Sequence, residues 1–73
     1  MQLRSKNIDN AIDIFKHNIE NYPNSFNVYD SMGEAYMMKG EKELAISNYE
    51  KSVLINPDND NGKEMLKKLK SER

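Results

Sequence analysis

The chain has 73 residues, with 11 Lys and Arg against 12 Asp and Glu, one His and no Cys. It is too short for more than one small domain, it lacks the basic excess of a nucleic-acid binder, and without cysteine it can form no disulfide framework, thiolate metal site or cysteine nucleophile. No apolar run approaches the roughly 18 residues of a membrane helix and the opening MQLRSKNIDN has no apolar signal core, so no membrane insertion is expected; no compartment is assigned, and a soluble, cytoplasmic setting is favoured for the chain as given.

Four helices are expected. Ile8, Ala11, Ile12, Phe15 and Ile19 recur at three- and four-residue steps, which places them on one helical face. This first helix is expected from about residue 6 to 21, because Pro23 blocks continuation. Asn24 and Ser25 suit the N-cap of a second helix. Its packing face reads Tyr29, Met32, Gly33, Tyr36, and Gly40 closes it by tolerating a left-handed turn. A third helix starts near Glu41, buries Ala45, Ile46, Tyr49 and Val53, and stops before Pro57. Asp58, Asn59 and Asp60 offer caps for a fourth helix, which carries Met65, Leu66 and Leu69. Glu64 and Lys68 sit on it at i, i+4 in the favourable order. Nothing alternates as a strand would, so the expected class is all-α: antiparallel helical hairpins with short connections.

The pattern repeats. Pro57 follows Pro23 by 57 − 23 = 34 residues, and the same offset pairs Ala11 with Ala45, Ile12 with Ile46, Phe15 with Tyr49 and Ile19 with Val53. Small, aliphatic, aromatic, aliphatic and breaker positions recur in order. One complete unit is therefore expected over residues 26–59, with half a unit before it and a partial unit after it. The chain reads as a single domain, 1–73. It divides into the second helix of a truncated repeat (6–22), a full repeat (23–59) and a capping helix (60–71).

Gly33 is the most informative single residue. Glycine inside a helix costs about 1 kcal/mol against alanine, and close helix–helix approach would compensate. Ala45 is the expected small partner, with Tyr36 and Tyr49 filling the space around the crossing.

The segment YDSMGEAYMMKGEKELAISNYEKSVLINPDN resembles a tetratricopeptide repeat. Tyr29 stands at that family's first aromatic place and Met32-Gly33 at its Leu-Gly pair. Tyr36 fills the tyrosine place, Ala45 the first alanine, Tyr49 the second aromatic and Pro57 the closing proline. Ser52 departs from the second alanine but is still small. The last unit departs further, with Lys63, Lys67 and Lys70 at the aromatic, glycine and tyrosine places. It keeps one narrow apolar stripe and a wet outer face, as a solenoid cap does. The resemblance implies helical hairpins stacked as a short α-solenoid.

No catalytic set is assembled. The serines lie in no nucleophile elbow. His17, the one imidazole, has no partner set and pairs simply with Asp13 at i, i+4. The run Asp58-Asn59-Asp60-Asn61-Gly62 superficially resembles a calcium loop, but position 12 from Asp58 is Leu69, where a bidentate glutamate would be needed. No metal, cofactor or enzymatic activity is expected.

What remains is a binding surface. In the family it resembles, the first helix of each unit lines the concave side. The corresponding groove positions are Asn27, Asp30, Glu34, Met37 and Met38, with Asn61, Glu64 and Lys68 on the last helix. Paired methionines are adaptable apolar contacts, although one of Met37 and Met38 could equally fill the core. An acidic lining at Asp30 and Glu34 repels a carboxylate, so a basic or mixed protein or peptide partner is expected, with no nucleic acid. A second reading is structural. Ile8, Ile12, Phe15 and Ile19 lack the first helix of their unit and form a candidate homodimer contact. The chain also resembles single units at the C-terminal end of some bacterial hydrolases, which implies an accessory role there.

Overall fold

Two prolines and a glycine divide the chain. The computed structural model describes the backbone of residues 2–71 and the side chains of residues 7–71. In order come α1 (Gln2–Asn21), α2 (Phe26–Lys39), α3 (Lys42–Ile55) and α4 (Asp60–Ser71). No strand occurs among the described residues. α1 begins earlier than its apolar stripe requires, because no proline or glycine lies between Gln2 and Ser5 to stop a helix from propagating.

Each connection closes in its own way. Gly40 sits at φ 84°, its N–H donates to the Met37 carbonyl at 3.0 Å, and the Glu41 N–H donates to the Tyr36 carbonyl at 2.9 Å. This paired reversal satisfies two carbonyls at the end of α2 and needs a residue without a Cβ. Ser25 takes the extended N-cap backbone before α2, but its hydroxyl makes no capping bond. Of the three caps offered to α4, Asn59 serves: its Oδ1 accepts the Gly62 N–H at 3.2 Å.

The helices stack in chain order, α1 on α2, α2 on α3, α3 on α4. The resulting slab measures 34 × 33 × 15 Å. The buried residues are Met32, Gly33, Ala35 and Tyr36 in α2 and Ala45, Ile46, Tyr49 and Ser52 in α3. Val53, expected inside, is half-buried, and so is Tyr29. Lys51 of α3 lies over the Tyr29 ring, 5.8 Å from its centroid. Leu69 anchors α4, with Met65 and Leu66 partly buried beside it. The exposed pairs Lys39–Asp9 (2.6 Å) and Lys70–Glu50 (3.0 Å) join α2 to α1 and α4 to α3. Such surface pairs orient more than they stabilise.

One expectation is corrected. Gly33 is a site of close approach, but its nearest neighbour is not Ala45. A Cβ built on Gly33 would lie 2.8–2.9 Å from three ring atoms of Tyr49. The glycine makes room for the ring of a buried aromatic, and Ala45 belongs to the same core. The apolar stripe of α1 is covered in part. Ile8 and Ile12 are 8% and 5% exposed, and Phe15 and Ile19 pack against the same core. α2 covers Ile8 and Ile12, while Phe15 and Ile19 remain half-buried.

A polar chain runs through the α3–α4 corner. Ser52, fully buried, donates from Oγ to the Phe26 carbonyl at 3.0 Å and accepts from Asn59 Nδ2 at 2.7 Å. Asn59 Nδ2 also donates to Asp30 Oδ2 at 3.3 Å. The alanine place filled by a serine is thus used as a hydrogen-bond relay. No buried side-chain polar atom among the described residues lacks a partner, as buried polar networks require.

Candidate functional site

α2 and α4 enclose a hollow of about 330 Å³. Glu34, Met37 and Met38 come from adjacent turns of α2, and Asn61 and Met65 from adjacent turns of α4. Tyr49 of α3 forms the floor. The hollow is floored by the same ring that Gly33 admits, so the packing at the hairpin crossing also shapes the surface.

Four of the eight expected groove residues therefore line one space: Glu34, Met37, Met38 and Asn61. Asp30 borders them through α4, accepting from Asn61 Nδ2 at 3.3 and 3.4 Å and from Asn59. Those bonds draw the start of α4 against α2. Asn27, one turn before Asp30, is exposed and does not line the hollow. Glu64 and Lys68 are exposed and lie outside it too. Glu64 belongs to a neighbouring strip of α4, and Lys68 lies a turn beyond Met65. Of the two methionines, Met38 is 61% exposed while Met37 packs partly against the core.

Tyr49 and Met65 complete the lining without having been singled out for it. Met65 could have been found, since it follows Asn61 at i+4 on one face of the helix. Tyr49 could not, because its 34-residue pattern marks it as core, and it is both core and floor.

The electrostatics are acidic. Burial pushes the Tyr49 hydroxyl up to about 12, and the carboxylates of Asp30 and Glu34 add to the shift. A phenol held neutral beside two carboxylates can donate a hydrogen bond but cannot neutralise them. The site offers a methionine-rich wall, a phenol floor and negative charge at the rim. His17 is exposed on α1, away from this space. Among the described residues, no helix is long and apolar enough to cross a membrane.

A second hollow adjoins the first across Glu34 and Met38 of α2. Ile8, Ala11 and Phe15 of α1 face Ala35 and Met38 of α2 there, with Glu34 at its edge. Glu34 and Met38 line both spaces.

A tetratricopeptide-repeat family model matches residues 26–59. Those residues are α2, α3 and the turn to α4, from the Phe26 start to the Asn59 cap. Comparison with curated proteins returned no match.

Proposed function

We propose that this chain, whose residues 26–59 are a tetratricopeptide repeat, binds a protein segment of basic and apolar character in the hollow between α2 and α4. Tetratricopeptide repeats generally mediate protein–protein interaction, and the role read here is non-catalytic. One observation carries the choice of face: Glu34, Met37, Met38, Asn61 and Met65 converge over the Tyr49 ring. Methionine side chains adapt to varied apolar surfaces. The carboxylates of Asp30 and Glu34 favour lysine or arginine beside the apolar anchor, more strongly at low salt.

The groove is short, so affinity is modest. Two peptides of equal length and leucine content, one flanked by lysine and one by glutamate, test it by NMR titration of the labelled chain. The lysine peptide should give saturable shifts at Glu34, Met38 and Asn61. Equal binding of the glutamate peptide, or shifts spread over other faces, contradicts the reading. Glu34→Lys is the informative variant, because Asp30 also holds Asn59 and Asn61 in place. The readings as a homodimer or as a hydrolase's accessory unit draw no support from this geometry.

A further inference from the structure

The 34-residue offset sets Ala11 beside Ala45 and Phe15 beside Tyr49 as equivalents. In the later pair the cover is complete: Ala45 is 0% and Tyr49 2% exposed, with Gly33 of α2 against the Tyr49 ring. In the earlier pair it is not. Ala11 and Phe15 are half-buried and line the hollow between α1 and α2, whose other wall is Ala35 and Met38. Among the described residues lining that hollow, Glu34 is the one that carries a charge.

We propose that the α1–α2 hollow docks an amphipathic helix of another protein, seated on Ala11 and Phe15 as α2 is seated on Ala45 and Tyr49. The repeat supplies the geometry. The docked helix runs antiparallel to α1, since α2 and α3 are consecutive helices joined by a short turn. It presents a glycine to the Phe15 ring, because the equivalent position on α2 has no room for a Cβ. Charge complementarity adds a lysine or arginine opposite Glu34. A second copy of the chain fits poorly. Its Gly33 already lies against Tyr49, and its Gly62 against Asn59 and Val53, so neither small position is free to seat on Phe15. This inference uses a wall of α1 that the α2–α4 groove does not contain, and a folded helix rather than an extended segment.

The probe is a lactam-bridged helical peptide with the α2 sequence, Phe26–Lys39, carrying E34K, titrated into the labelled full chain. Saturable shifts at Ala11, Phe15 and Ala35 are expected. Binding should weaken about tenfold when the peptide also carries G33L, through overpacking on Phe15, and by a similar factor when the chain carries Ala11→Arg. Ser31→Arg, in the same hollow, serves should Ala11→Arg disturb the helix content. Asn61→Lys, on the α2–α4 side, should leave helix binding unchanged while weakening the basic extended peptide. Failure of the parent chain to bind the extended peptide, with helix binding intact, would sink the groove reading and not this one. The proposal is overturned if no saturable shifts appear into the millimolar range. It is also overturned if they map to Asn61 and Met65, or if the chain alone dimerises through Ala11 and Phe15.

Discussion

Gly33 and Tyr49 meet so closely that a single added carbon on the glycine would lie 2.8 Å from the aromatic ring. Both residues are buried, Tyr49 with 2% of its surface exposed, so the ring has little freedom to retreat. Alanine at residue 33 gains about 1 kcal/mol of helix propensity and incurs an overpacking cost of about 1–3 kcal/mol. Gly33→Ala is therefore expected to lower the thermal midpoint by several degrees, as roughly 1 kcal/mol does in a domain this small. Tyr49→Phe should not rescue it, because the contact is with ring carbons. Tyr49→Leu should recover part of the loss, visible as a coupling energy in a double-mutant cycle.

The buried relay gives a second expectation. Asn59 caps α4 and joins Ser52 to Asp30. Asn59→Ala removes a cap and strands a buried polar partner, for a loss of about 1–3 kcal/mol. Asn59→Asp keeps the cap acceptor, deletes both donated bonds and sets a carboxylate beside Asp30. Its urea midpoint should fall further than that of the alanine variant at pH 7 and rise on mild acidification. An Asn59→Asp chain as stable as the parent at neutral pH contradicts this assignment.

Alkaline titration tests the floor of the groove. The Tyr49 hydroxyl is raised from 10.0 to about 12 in the folded chain. The unfolded chain releases this proton first as pH rises, so the folded state binds more protons between pH 10 and 12. The stability contributed by Tyr49 is fully present below pH 10 and is lost as pH climbs towards 12. Chemical denaturation at stepped pH should show this decline, and Tyr49→Phe should flatten it. A tyrosinate absorbance titration should show a late-ionising component that Tyr49→Phe removes, alongside loss of helix.

Covering the α1 stripe changes what its substitutions should do. Ile12→Ala is expected to cost about 2–5 kcal/mol, as for other buried isoleucines, with α1 losing helicity. Sedimentation of the folded parent and variant should give the same mass. A heavier parent that dissociates on Ile12→Ala returns this stripe to self-association.

The helices were legible because Pro23, Gly40 and Pro57 punctuate them and the apolar residues recur at helical steps. Residue types at a 34-residue spacing were enough to place Met32, Gly33, Tyr36, Ala45 and Tyr49 in one core. They could not show which neighbour leans into the gap at Gly33. A small residue opposite a small residue and a ring set against a glycine leave the same trace in a linear pattern. The cover over Ile8 and Ile12 was hidden for a related reason. It comes from the side of α2 that carries Ala35, which the repeat signature does not mark. Asn59 was legible as a cap, since that bond spans three residues, but not as the partner of Asp30, 29 residues away. The groove was half legible: its α2 residues share a helical face, whereas its floor comes from a side chain whose pattern announces only the core.

Exchange of charge preference at Glu34 tests the central claim most directly. Calorimetric titration of the parent chain and of Glu34→Lys, each with the lysine-flanked and the glutamate-flanked leucine peptide at low salt, gives four affinities. The account predicts that the parent favours the lysine peptide and that Glu34→Lys reverses the preference, with both chains equally helical. Two folded chains with the same preference, or with none, would contradict it.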